Sequence, residues 1–117
     1  MPKSDTVPTA TLHRWQRHAQ QQLAAFLAHG AKRDLPPLVW TLAANGALTG
    51  EADGLSYTPD QQRAAVKQWA DHVGVTVETT TGDGREEHFA GWEKPVQGEA
   101  AVVGCFRATI FVHREGA

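Results

Sequence analysis

Leu12, Trp15, Ala19, Leu23, Phe26 and Leu27 recur three and four residues apart, which places them on one stripe of an amphipathic helix. Arg14, Arg17, Gln20 and Gln21 fall on the opposite, solvated face. Thr9 or Thr11 can cap the start, and Gly30 is placed to end the helix in the left-handed conformation that glycine adopts cheaply. Pro36 and Pro37 forbid continuation and lead in extended form into Leu38 to Ala43, where β-branched and aromatic residues favour a strand.

Asn45-Gly46 then signals a hairpin, and the polarity of the flanks sets its register. A two-residue turn would set Trp40 opposite Glu51 and Leu42 opposite Thr49, mixing polarity on each face. A three-residue turn, Ala44-Asn45-Gly46, instead pairs Leu42 with Leu48, Trp40 with Gly50 and Leu38 with Ala52, and is preferred because it separates an apolar face from a polar one. The next helix is the best-marked element: Thr58 as cap, Pro59 in first position, Asp60 in the first turn and Gln61 completing a capping box. Val66, Trp69, Ala70 and Val73 form its apolar stripe, and Gly74 ends it.

A strand through Val75-Thr76-Val77 follows, turns at Gly82-Asp83-Gly84 and returns through His88 to Trp92. Of the two registers there, a two-residue turn pairing Val77 with Ala90 is preferred over a three-residue turn pairing Val77 with Phe89. After a loop around Pro95 to Glu99, Ala101 to His113 is the longest apolar run and reads as a strand inside the sheet. The order α-β-β-α-β-β-β, with short links, predicts an α+β fold: a two-layer sandwich in which two helices cover one face of a five-stranded, mainly antiparallel sheet. Tryptophans at 15, 40, 69 and 92 lie in four different elements and suit the locking of helices to sheet.

With 117 residues, 41% of them hydrophobic and 21% charged, the chain is long enough for one core and far from disorder-prone composition. The expected organisation is a polar tail over 1–8 and a single domain over 9–117. That tail lacks the apolar run of a signal peptide, and no window reads as a membrane span, so a cytosolic protein is expected. Cys105 is the sole cysteine, which excludes an internal disulfide and any paired-thiol metal site. Net charge is −2, yet residues 1–33 carry Lys3, Arg14, Arg17, Lys32 and Arg33 against Asp5, leaving the acidic excess to the remainder.

Catalytic candidates are sparse. Glu86 and His88 share one face of a strand, the spacing of two metal ligands or an acid/base pair, but no third group accompanies them and a solvated hairpin tip accounts for both. His13 and His18, five apart, do not meet on a helix. His72 sits in the last turn of its helix, where a positive charge suits the dipole, and His113 carries no signal. Cys105 reads as a small structural residue, lacking the basic partner of a nucleophile. Phosphate-loop, dinucleotide, nucleophile-elbow and zinc-protease motifs are missing from the sequence, so no catalytic residue and no cofactor is expected.

Two surfaces remain. Arg14, Arg17, Gln21, Lys32 and Arg33 give the first helix a basic face able to meet phosphates. In the last strand, Val102, Gly104, Phe106, Ala108, Ile110 and Val112 alternate with Val103, Cys105, Arg107, Thr109 and Phe111. If the first set faces the core, the second leaves Val103, Cys105, Arg107 and Phe111 on a sheet face more apolar than water favours, which marks a protein interface.

Leu35-Pro36-Pro37-Leu38-Val39-Trp40-Thr41, Ala47-Leu48-Thr49-Gly50, Gln61-Gln62-Arg63-Ala64-Ala65 and Trp69 together resemble a group of short actinobacterial proteins often encoded near phage-like or conjugative elements. The resemblance implies an accessory or regulatory setting and supplies no catalytic residues. The expected function is therefore that of a non-enzymatic accessory protein that associates with itself, as a homodimer, or with another protein through the open sheet face. A nucleic-acid-associated factor using the basic helix face is the alternative, and a small-molecule or hydrolytic pocket between helices and sheet ranks third.

Overall fold

The computed structural model describes residues 7–112, so most of the expected tail, together with His113, lies outside the described residues. Helix α1 spans Thr9–Arg33, β1 Val39–Leu42, β2 Leu48–Glu51, α2 Pro59–Val73, β3 Glu78–Gly82, β4 Arg85–Lys94 and β5 Val102–Phe111. This is the α-β-β-α-β-β-β order expected, folded as an α+β domain with a five-stranded sheet. Strand order is β1-β2-β5-β4-β3. The last strand enters the middle, antiparallel to β4 and parallel to β2. Among the described residues no helix is long and apolar enough to cross a membrane.

Both hairpin registers follow the sequence. Leu42 pairs with Leu48 and Trp40 with Gly50, with Gly46 at φ 85°; a side chain there would also run into the Trp15 backbone, its Cβ 2.9 Å from the carbonyl oxygen. In the second hairpin Gly82 pairs with Arg85 across Asp83 and Gly84, both left-handed, as a primed two-residue turn requires. The strand itself starts later than expected. Val75 to Val77 is not paired: Val75 N–H donates to the Ala70 carbonyl at 2.9 Å to finish the cap of α2, and Val75 and Val77 pack on the core instead.

Helix α2 carries the full capping box, with Thr58 and Gln61 reciprocally bonded, and ends at Gly74 with φ 81°. Helix α1 departs from expectation at both ends. Thr9 is already helical and Thr11 lies inside, so neither caps; the Pro8 carbonyl accepts from Thr11 and Leu12 N–H at 3.0 and 3.1 Å. Gly30 does not end the helix. It lets the helix approach Trp69 closely, since a Cβ there would come within 3.3 Å of the indole, and the chain runs on until Asp34 takes the left-handed cap at φ 56°. Leu27, assigned to the apolar stripe, is 55% exposed, because Phe26 and Gly30 define the buried line.

Phe26 is the hub of the core. Its ring stacks on Trp40 at 5.5 Å and meets Trp92, Phe106 and Trp69 edge-on at 5.2, 5.6 and 5.7 Å. Three of the four tryptophans thus join both helices to the sheet through one phenyl ring, with Leu48, Ala90, Val102, Ala108 and Ile110 filling the helix-facing side.

Candidate functional site

Within β5 the alternation is as expected: Val102, Phe106, Ala108 and Ile110 are buried while Val103, Arg107 and Phe111 are exposed and Cys105 is half-buried; Val112, expected on the core side, lies past the end of the strand and is exposed. The register carries this face across the sheet. Thr41, Thr49, Cys105 and Gly91 form one row of small uncharged residues, and Val39, Glu51, Arg107, Phe89 and Glu78 form the next. Phe111 is 68% exposed, Val103 48% and Phe89 47%, and the Phe89 ring leans over Gly91, where a Cβ would come within 3.2 Å of it. The loop after β4 does not roof this face, since Val96 packs on the core and Glu99 binds Arg14 on α1.

The face is less apolar than β5 alone suggests, because its neighbouring strands contribute charges. The Thr109 hydroxyl donates to Glu87 Oε1 at 2.7 Å, Arg107 donates to the Thr109 hydroxyl at 3.2 Å, and the Arg107 and Arg85 guanidinium groups each lie 3.7 Å from Glu87. Val103, Cys105, Arg107 and Phe111 therefore share one surface in which apolar side chains stand between paired charges. Cys105 Sγ lies 4.0 Å from Thr49 Oγ1, and no basic group contacts it among the described residues.

The basic residues of α1 do not converge. Arg14 donates to Glu99 at 3.0 Å, Arg17 and Gln21 face solvent, and Lys32 and Arg33 sit in the last turn, about 27 Å from Arg14 at the rise of an α-helix.

Glu86 and His88 are not the solvated pair that a hairpin tip implies. They lie on the helix side of β4, where Arg63 of α2 donates Nε–H and Nη2–H to the two Glu86 oxygens at 3.0 and 3.1 Å. His88 Nε2–H donates to Glu86 at 3.0 Å and its Nδ1 lies 3.2 Å from the Thr79 hydroxyl. The Arg63 hydrogen bonds, with that from His88, hold the Glu86 carboxyl down at about 2. A carboxylate so occupied is an anchor between α2 and β4; among the described residues no three His, Cys, Asp or Glu side chains gather around a metal position.

His72 also differs from expectation. Burial comes first in lowering its proton affinity, followed by the charges of His29 and Arg33, which works against the helix-end positive charge the sequence suggests. Its Nε2 lies 3.2 Å from His29 Nδ1 across the two helices. Forty-three residues separate this pair in sequence, so no spacing rule finds it. Gln62, passed over in the sequence, is 3% exposed and donates to the carbonyls of Ala52 and Thr109 at 2.9 and 3.3 Å, closing the end of the β2/β5 seam.

An apolar cleft of about 280 Å³ opens between the end of α1 and β1, lined by Leu27, Ala31, Leu35, Leu38 and Trp40 with Asp34 as its sole ionisable group. It offers shape without a pair of groups to move a proton. Comparison with known protein families, with curated proteins and with solved structures finds no match to this chain.

Proposed function

We propose that the protein is a non-enzymatic accessory protein that works by association through the sheet face turned away from its helices, pairing with a second copy of itself. The observation that carries this reading is the composition of that face: exposed Phe111, Val103 and Phe89 set among Arg107, Arg85, Glu51 and Glu87, charges of both signs on one surface. A two-fold axis brings the same patch against itself, and a patch carrying both signs can oppose Arg107 of one copy to Glu51 of the other while the apolar side chains meet.

Area sets the strength. Five strands about 4.8 Å apart and up to ten residues long present on the order of 600 Å², below the roughly 800 Å² per partner of a standard stable interface. The association is accordingly expected at micromolar concentrations or above and to be reversible.

Light scattering coupled to size exclusion tests it. Wild-type protein at high micromolar concentration should run at dimer mass, and Val103→Glu or Phe111→Glu at monomer mass with unchanged circular dichroism. A wild-type chain that stays monomeric there removes the reading. Salt-dependent retardation of a DNA or RNA duplex, abolished by Arg14→Ala with Arg17→Ala, would put the basic helix face in its place.

A further inference from the structure

The two imidazoles that join the helices, His29 near the end of α1 and His72 near the end of α2, present facing nitrogens at the separation of two ligands on one ion. The facing nitrogens are 3.2 Å apart, the ring centres 5.2 Å apart and the rings inclined at 72°. Two imidazoles bound to one ion at about 2.0–2.1 Å in a tetrahedral shell have nitrogens about 3.3 Å apart and ring centres about 5 Å apart. An N–H···N bond bent by about 30° holds the ring centres equally close, so the same placement serves the ion-free pair and an ion-bound one.

From this geometry we infer that His29 and His72 form a two-histidine site for a late first-row divalent cation of the Zn²⁺ or Ni²⁺ class. Imidazole suits these ions. With no third His, Cys, Asp or Glu beside the pair among the described residues, water fills the remaining positions, and the pair faces an open cleft of about 260 Å³ between α1, α2 and β4 that admits a partly hydrated ion.

The site is built before an ion arrives. His72 rests edge-on against Trp69, ring centres 5.9 Å apart at 90°, and Trp69 is fixed in the core with its indole N–H donated to the Pro36 carbonyl at 2.7 Å. Gly30, next to His29, packs on the same indole, so one buried ring sets the spacing of both ligands. In the ion-free pair one facing nitrogen carries a hydrogen. On binding, that proton moves to the far nitrogen of the same ring, both facing nitrogens become lone-pair donors, and no proton need leave. Arg33 opposes a cation here, and Glu93 and Lys94 line the cleft with opposite charges, so the affinity should fall below that of a three-ligand site.

Titration of the untagged full chain with NiCl₂ and ZnCl₂ by calorimetry, alongside thermal melting, tests the assignment. Wild-type protein should take up one ion per chain and melt at a higher temperature with the ion, since an ion bridging α1 and α2 stabilises the folded state by mass action. His29→Ala and His72→Ala should each weaken binding by at least about tenfold and lose the thermal shift, while His88→Ala keeps both. His29 is exposed, so His29→Ala should melt normally without metal and keeps the test open if His72→Ala disturbs the helix contact. No saturable uptake by the wild-type chain, or uptake by His29→Ala within threefold of wild type, would overturn the inference.

Discussion

The indole of Trp92 occupies the space directly above the backbone of Gly104, its partner across the β4/β5 pair. A Cβ at position 104 would overlap both that ring and the carbonyl oxygen of Leu48 on β2. Glycine is needed here by close approach and not by a left-handed φ. Because one obstacle is backbone, no rotamer change relieves the overlap, and Gly104→Ala should cost about 3 kcal/mol or more, at the upper end for overpacking. Urea denaturation followed by tryptophan fluorescence would read the loss; a midpoint unchanged from wild type would mean that β2, β5 and Trp92 are not packed as described.

Phe26→Ala should be as damaging for the opposite reason. Removing this ring empties the position where Trp40, Trp69, Trp92 and Phe106 meet, and three indoles in one cluster cannot all collapse into the gap. The expected loss is about 3–5 kcal/mol, with Phe26→Leu retaining a good part of it. Equilibrium unfolding of both variants checks the order, and equal losses would argue against a hub.

Much of this was legible in the chain. Thr58, Pro59 and Gln61 specify the start of α2 by local chemistry alone, and the polarity of the Leu42–Leu48 and Trp40–Gly50 pairs decides the first hairpin without reference to the rest of the fold. What escaped is what depends on distant partners. Gly30 has the sequence context of a helix stop, but an indole 39 positions later makes it a packing glycine. The apolar run of β5 places it inside the sheet, but the parallel β2/β5 seam and the Gln62 bridge across it depend on which strands flank it, and no local signal states that. The Arg63–Glu86 and His29–His72 contacts likewise join segments whose adjacency is a product of the fold.

Trp69 and Trp92 offer a controlled comparison. Both are buried, but the Trp69 N–H donates to the Pro36 carbonyl at 2.7 Å, whereas the Trp92 Nε1 has no protein partner among the described residues. Replacing Trp69 by Phe removes a bond and leaves a carbonyl unpaired, on top of lost volume. Replacing Trp92 by Phe loses volume while discarding an unpaired donor whose burial itself costs about 1–3 kcal/mol. Trp92→Phe should therefore be the milder substitution by at least about 1 kcal/mol in denaturant unfolding, and the reverse order would show that the Trp92 N–H is satisfied.

The Arg63–Glu86 contact predicts how the fold responds to acid. The Glu86 carboxyl is lowered from its ordinary 4.5 to about 2 in the folded chain, first by hydrogen bonds from Arg63, then by that from His88. An acid whose folded value is depressed binds fewer protons folded than unfolded, so its stabilisation is fully present above about pH 4.5 and is withdrawn as pH falls through about 2. The gap in unfolding midpoint between the wild-type chain and Glu86→Gln, measured from pH 7 to pH 2, should be steady above about pH 4.5 and narrow below it, with Glu86→Gln lower at pH 7 and falling less steeply in that window. Arg63→Met should also flatten the acid limb, because without the guanidinium the carboxyl regains most of its ordinary proton affinity, and combining Arg63→Met with Glu86→Gln should cost less than the two single losses added together. A Glu86→Gln variant whose acid limb parallels that of wild type would mean that this carboxyl is solvated and that α2 is held to β4 by apolar contact alone.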